Sequence, residues 1–439
     1  MPNENDILNA LKVIIDPDFN RDIVSLGFVK NIAIKGSHVS FDIELTTPAC
    51  PVKAEFQRQA ESAVKGLGGI KTVSVNMTSK PALVSRPLQE ANSTLATVRS
   101  VIAVSSCKGG VGKSTIAVSL AKELAQRGFK VGLLDADIYG PSIPTLFNLN
   151  RIPIYSNNKN QILPHELGNL KIMSFGFLLG DAPAVMRGPI VTRYIQQLLH
   201  QTAWGELDYL FIDMPPGTGD IQLTITQSAQ LSGAVIVTTR QTLSLVDVAR
   251  GILMFEEVKV PMLGIIENMS YFVCDNCEKK HYIFGGAESD ILKDRFGLDT
   301  LAQIPIMPDL SGKFDKEIHN AAISSAADKV VMALGKNSIS QKRVPKITSD
   351  NEKITLEWPD GESLVVKNRD VRLSCRCALC VNELSGEMIL KEENVKADIL
   401  AKEIIPLGNY ALGIKWNDGH TSGIYPYETI RNLAKAIKV

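Results

Sequence analysis

Ser105-Ser106-Cys107-Lys108-Gly109-Gly110-Val111-Gly112-Lys113-Ser114-Thr115 lies between two patterned runs. Val98 to Val104, before it, is rich in β-branched residues; Ile116 to Arg127, after it, is apolar at helical spacing. Strand, glycine-rich loop and helix, in that order, form the context a phosphate-binding loop requires. Glycines let backbone N–H groups approach phosphate oxygens, and the helix N-terminus adds positive potential at the same place. Gly109, Gly110, Val111, Gly112 and Thr115 therefore read as residues that cradle a nucleotide. Lys113 reads as the cation that reaches its β and γ phosphates, and Ser114 as a magnesium ligand. The expected ligands are ATP and Mg2+.

Working outward, strands and helices alternate from about residue 98 to 335. Val131–Leu134, Leu170–Met173, Tyr209–Ile212, Ala234–Thr238 and Met262–Ile266 read as strands, with Ile190–His200 and Val246–Val258 among the helices between them. The pattern predicts an α/β fold with a doubly wound, mostly parallel sheet, whose ligands bind beyond the C-terminal strand ends. Two acidic stretches stand at such ends, Asp135-Ala136-Asp137 and Asp213-Met214-Pro215-Pro216. A carboxylate there can hold magnesium-bound water, and one near the γ-phosphate can orient an attacking water. Asp135 reads as a strand-end cap instead.

Seven cysteines are present, and five fall into two tight groups, Cys274/Cys277 and Cys375/Cys377/Cys380. Such grouping favours metal binding over a disulfide framework. Two thiolates in Cys274-Asp275-Asn276-Cys277 supply only half of the four ligands that zinc or a 4Fe–4S cluster takes, and a symmetric dimer would supply the rest. His281 reads as a solvated loop histidine. Cys375, Cys377 and Cys380 lack one ligand for a closed zinc site, and His420, on an Asp418-Gly419 turn, is the candidate fourth. An iron–sulfur site or free thiols are the alternatives there.

Residues 1 to about 80 form a small α+β unit, with a helix over Ile7–Ile15, strands at Val29–Ile34 and Val39–Leu45, a helix over Val52–Val64 and a strand at Thr72–Met77. Cys50, before Pro51, is placed at a helix N-terminus, where the dipole would lower a thiol pKa; a buried small hydrophobe is the alternative. Ser79 to Thr97 reads as a linker. From about 348 to 439 a small β-rich domain follows, with strands at Ile354–Glu357, Ser363–Val366 and Tyr410–Lys415 and a final helix from Tyr427 to about Lys438.

Lys+Arg and Asp+Glu both total 47, which argues against a nucleic-acid binder with a strongly basic surface. No apolar run approaches the ~20 residues needed to span a membrane. The start, Met1-Pro2-Asn3-Glu4-Asn5-Asp6, has neither a basic nor an apolar leader pattern, so a cytoplasmic, reducing setting is expected, with a mature organelle form as the alternative.

Lys108-Gly-Gly-Val-Gly-Lys113-Ser-Thr resembles the deviant phosphate loop of the family that includes the MinD and ParA ATPases, nitrogenase iron protein and the Mrp/ApbC proteins. Asp135 to Ser142, Met186 to Pro189, Asp213 to Asp220 and Glu267 to Phe272 resemble Mrp/ApbC in particular. This resemblance implies that Lys108 contacts nucleotide phosphate, often across a dimer interface. It makes Asp137 the residue that positions or activates water, sets Asp213 beside magnesium, and brings Asn268 to the adenine. It further implies that Cys274 and Cys277 hold a labile 4Fe–4S cluster between two subunits. Arg240, Glu278 and Met186 depart from the family pattern, which touches loop geometry only.

The N-terminal unit resembles SufT-like domains of iron–sulfur assembly, through Asp16-Pro17-Asp18, Leu26-Gly27 and the threonine–cysteine–proline stretch. The C-terminal cysteines and the Asp418-Gly419-His420 turn resemble the zinc domain of γ-butyrobetaine hydroxylase. The three-part layout resembles the high-chlorophyll-fluorescence scaffolds of chloroplasts. Together they imply a homodimeric ATP hydrolase that carries a 4Fe–4S cluster to apoproteins, with cluster donors as further partners and no nucleic acid or membrane. The alternatives are a nucleotide-switched scaffold with structural zinc at Cys274 and Cys277, and a MinD/ParA-like positioning ATPase.

Overall fold

The computed structural model describes residues 2–16, 21–45, 53–79, 94–150, 152–179, 188–217, 219–240, 245–274, 276–284, 291–306, 313–340, 345–359, 361–377, 379–381, 387–408 and 410–436. Cys50, Met186 and the stretch 80–93 lie outside them. Two compact units result: Met1–Pro87 with Asp328–Ile339, and Leu88–Ala327 with Ser340–Val439.

In the first unit, α1 (Glu4–Leu11) starts earlier than the apolar spacing predicts, because Asn3 caps it. The Asn3 side chain accepts from the Asp6 N–H at 3.0 Å, and the Asp6 carboxylate accepts from the Asn3 N–H at 2.8 Å. β1 (Val29–Lys35) and β2 (His38–Leu45) form a hairpin, followed by α2 (Lys53–Lys65) and β3 (Thr72–Ser79), which runs parallel to β2. Strict alternation along β2 buries Val39, Phe41, Ile43 and Leu45 against Phe56, Ala60 and Val64 of α2.

The second unit is built on a nine-stranded sheet. Its elements are β4 (Val98–Ser105), α3 (Lys113–Gln126), β5 (Val131–Asp135), β6 (His165–Leu167), β7 (Leu170–Ser174), α4 (Gly188–Gln201), β8 (Leu207–Asp213), α5 (Asp220–Ala229), β9 (Gly233–Thr239), α6 (Leu245–Glu257), β10 (Met262–Val273), β11 (Lys280–His281), α7 (Ile291–Phe296), β12 (Thr300–Pro305) and the start of α8 (Lys313–Ser340), whose Asp328–Ile339 stretch falls in the first unit. The order is β11-β10-β9-β4-β8-β5-β7-β6, with β12 also on β10. Only β6 and β11 run antiparallel to their neighbours. β5, β9 and the inner part of β4 are buried, and apolar up to their C-terminal ends at Asp135, Thr238–Thr239 and Ser105, as strands covered on both faces must be. The strand starting at Met262 outruns its predicted end at Ile266: it continues through the buried polar residues Glu267, Asn268 and Ser270 to Val273.

Residues beyond 345 form two antiparallel three-stranded sheets. One comprises β13 (Lys346–Ser349), β14 (Lys353–Glu357) and β15 (Ser363–Lys367). After the short α9 (Asn368–Leu373) comes the other, β16 (Ala401–Leu407), β17 (Ala411–Trp416) and β18 (Gly423–Pro426), and then α10 (Tyr427–Ala436). Trp416, Tyr425, Tyr427, Ile430 and Ala434 share one core with the cysteines of this segment. The apolar face of α10 is thus covered by its own domain. Leu407, Ala411 and Ile424, by contrast, belong to the core under the large sheet, so the segment is fused to that sheet by burial. No described helix is long and apolar enough to cross a membrane.

Candidate nucleotide loop and metal centres

β4, the middle of the large sheet, delivers the glycine-rich loop beyond its C-terminal end. Gly112 caps α3 in the left-handed region (φ 79°), and a Cβ there would collide with the Asn268 side-chain amide. That amide donates to the Val111 carbonyl at 2.9 Å, so β10 is docked on the loop through Asn268.

Lys113 and Asp213 form a direct ion pair, with side chains 6% and 0% exposed. Lys113 Nζ also reaches Ser114 Oγ at 3.4 Å. Burial pushes the Asp213 carboxyl up and the Lys113 ammonium pulls it down, burial prevailing. Asp213 Oδ2 is buried with no hydrogen-bond partner among the described residues. An orphaned carboxylate oxygen beside a serine hydroxyl and a lysine is a donor set that fits hydrated magnesium with phosphate.

Asp135 is buried and fully engaged. It accepts from the Asp137 N–H (3.2 Å), the Ile143 N–H (3.1 Å) and Ser174 Oγ (2.9 Å), and burial, then Asp213, raise it to about 7. It organises the loop that presents Asp137, whose half-buried carboxylate accepts from the Gly140 N–H at 3.3 Å. Lys108, half-exposed, pairs with Asp247 at the start of α6 at 2.9 Å. Cys107, in the same loop, is pushed up to about 11 by burial and then by Asp247, which keeps it a thiol.

At the end of β10, Cys274, Cys277 and His281 gather, one ligand atom from each lying within 4.8 Å of the others. Cys277 and His281 are exposed. His281 is in β11, paired with Phe272, and not in a loop.

The more buried cluster is Cys375, Cys377, Cys380 and His420, again within 4.8 Å of one another. His420 Nε2 stands 3.2 Å from Cys375 Sγ and 3.5 Å from Cys377 Sγ. Cys380 turns back beneath Cys377, whose carbonyl accepts its N–H at 2.8 Å. Asp418 Oδ1 accepts from the His420 N–H at 2.9 Å and Oδ2 from Arg372 Nε at 2.8 Å. Arg372 also points Nη1 at Cys380 Sγ, 3.4 Å away. Three thiolates and a dication leave one net negative charge, and the buried Arg372 guanidinium offsets it. Four converging, largely buried donors fit zinc.

Comparison with known proteins agrees with this architecture. Residues 97–338 match the family described as NUBPL iron-transfer P-loop NTPase. This chain belongs to that family. Residues 4–77 of the iron-transfer NTPase match an iron-sulfur cluster assembly protein family, and residues 346–431 the N-terminal region of the gamma-butyrobetaine hydroxylase-like family. It is 44% identical to the chloroplastic Fe-S cluster assembly factor HCF101 of Arabidopsis thaliana, over 100% of this chain and 84% of the relative. It is 42% identical to the iron-sulfur cluster carrier protein of Synechocystis, over 75% of this chain and 95% of that protein. Among solved structures, a nucleotide-binding protein in complex with ADP from Archaeoglobus fulgidus is 39% identical, covers 53% of this chain and 90% of its own, and has a TM-score of 0.45.

Three residues of this NTPase escape sequence reasoning. Asp247 carries no motif, and only the fold brings it to Lys108. Arg372 and Asp418 bond to Cys380 and His420 from behind the C-terminal cluster. Asp418 alone had a signal, its place in the turn before His420.

Proposed function

We propose that this iron-transfer NTPase is an ATP-hydrolysing carrier that holds a 4Fe–4S cluster between the Cys274/Cys277 hairpins of two subunits and passes it to apoproteins. The observation that carries the reading is the course of β10. Its middle docks on the phosphate loop through Asn268, and its end delivers Cys274. At ~3.3 Å per residue that is at most about 20 Å along one strand, which kinks at the left-handed Met269 (φ 52°) on its way from the phosphate loop to Cys274. Hydrolysis then gates the hairpin and does no chemistry on the cluster.

In this reading the loop N–H groups and Lys113 hold the phosphates, and Ser114 and Asp213 hold magnesium. When bound, the ion supplies charge neutralisation on the transferred phosphoryl group. Asp137 orients the attacking water, Lys108 adds a second cation to the nucleotide, and Asn268 borders the adenine. Cys375, Cys377, Cys380 and His420 hold zinc, which stabilises the C-terminal domain and takes no part in transfer. Exposure of Cys277 supports a labile site over structural zinc, since structural sites are closed. Burial of α10 against its own domain favours a carrier over a membrane-positioning ATPase. A reducing compartment, as in cytoplasm, suits the chemistry, and none of the described cysteines is in a disulfide.

The test is anaerobic purification and reconstitution, with iron, sulfide and zinc measured per chain and mass measured in solution. The reading expects four irons and four sulfides per dimer and one zinc per chain. Iron that stays bound in a Cys274→Ala, Cys277→Ala double variant would refute it.

A further inference from the structure

We propose that His281 is a third metal ligand on the β10–β11 hairpin, so that one chain offers two thiolates and one imidazole. This rests on the assignment of Cys274 and Cys277 as ligands and adds to it.

The pairing register places the three side chains together. Phe272 stands directly opposite His281, so these two project from the same face of the ribbon. Their rings lie 6.5 Å apart. The next pair, Val273 and Lys280, projects from the other face, and Lys280 Nζ leaves over the Tyr271 ring at 4.6 Å. The ladder then goes one step further: the Cys274 N–H donates to the Lys279 carbonyl at 3.0 Å. With a period of two, Cys274 returns to the face of Phe272 and His281. The Glu278 N–H donates to the Cys274 carbonyl at 2.8 Å, closing a tight turn that brings Cys277 over the same face.

Cys274 Sγ, Cys277 Sγ and a ring nitrogen of His281 thus lie within 4.8 Å of one another. Ligands of a tetrahedral ion with bonds of about 2.0–2.3 Å sit about 3.5–4 Å apart, so a small closure of side chains completes the set. Two sulfurs and one nitrogen suit a divalent ion of borderline softness, such as Zn2+, Co2+ or Fe2+. Exposure of Cys277 and His281 leaves the fourth position open to a ligand from outside the chain. A symmetric pair of hairpins would bring four thiolates and two imidazoles, two donors more than the cysteines alone.

Cobalt tests this on the full chain, first loaded with one zinc to fill the cluster at Cys375 and His420. Wild-type protein should then bind one Co2+ with thiolate charge-transfer bands and the intense d–d absorption of a tetrahedral site. His281→Ala should weaken that binding at least about tenfold, the lower end for loss of even an indirect metal partner, and dim the d–d bands. His281→Cys should restore both. Wild-type affinity and spectrum in His281→Ala, or no cobalt bound by wild type, would overturn the proposal. The Cys274→Ser, Cys277→Ser double variant separates the two ideas. Loss of reconstituted cluster there, with an unaltered His281→Ala, removes only the histidine. Retention of the cluster there removes the thiolate assignment itself.

Discussion

Lys113 is expected from its motif to act on phosphate alone, yet in the structure its ammonium also neutralises the buried Asp213 carboxylate. Removing one partner of a desolvated pair strands the other charge, at a cost of about 3–5 kcal/mol. Lys113→Ala should therefore abolish ATP turnover and also lower stability in nucleotide-free protein, measured by urea denaturation. A Lys113→Ala, Asp213→Asn double variant should regain much of the loss; equal stability of the single variant and wild type would mean the pair is not desolvated. Asp137 differs, because it is half-buried and its backbone contact survives amidation. Asp137→Asn should leave nucleotide affinity near wild type and slow hydrolysis by about 10²-fold or more, in the range of a lost water-orienting base. Loss of nucleotide binding instead would assign Asp137 to magnesium or to the loop. Lys108 is held more loosely: with side chains 44% and 22% exposed, its pair with Asp247 is worth about 1 kcal/mol at most, so a phosphate can displace it.

Elements with one dominant period were legible in the sequence, and elements with mixed signals were not. β4, β5 and β9 read as apolar runs, and α3 as an apolar stripe after a loop of special composition. The second half of β10 was lost because Glu267, Asn268 and Ser270 look like loop residues until their buried partners are known. β16 was hidden by Pro406, which demotes a strand, and α9 by its six residues. The C-terminal donor cluster, in contrast, was readable down to His420, because three cysteines within six residues call for one more donor and the Asp418-Gly419 turn presents one, although only the fold brings His420 to Cys375, 45 residues away. Its removal has a defined readout. His420→Ala should lower zinc affinity and change the fluorescence of Trp416, which is buried and bonded to Tyr425. The Cys274→Ala, Cys277→Ala variant should lose the cluster and keep zinc and nucleotide binding, since the two sites share no residue. Cluster loss in His420→Ala would contradict that separation.

At the scale of the molecule, the β-rich segment expected from about residue 348 is joined to the nine-stranded sheet through Leu407, Ala411 and Ile424 and through one carboxylate. Glu256, at the end of α6, accepts from Tyr410 Oη at 2.8 Å and from the Gly408 N–H at 3.2 Å. Burial raises it from its ordinary 4.5 to about 7, against the pull of these two bonds. Between those values the folded chain binds more protons than the unfolded one, so stability is full below about 4.5 and falls as pH rises towards 7. A shift of this size corresponds to a loss of ~3 kcal/mol at most. Glu256→Gln keeps an acceptor without the charge, and should flatten the melting temperature across that window and raise it at pH 8. A steeper profile would place the titrating group elsewhere.

The same helix ends, at its start, in the exposed pair of Asp247 with Lys108. Added salt screens such a pair and leaves a buried carboxylate almost untouched, because the Debye length shrinks from about 10 Å at 0.1 M to about 3 Å at 1 M. α6 is therefore a rod whose two ends answer to different properties of the solution. Ionic strength loosens the end beside the phosphate loop, and alkalinity loosens the end that faces the C-terminal sheets. Each end can be relaxed in turn, and hydrogen exchange along Leu245–Glu257 would show which one carries the connection.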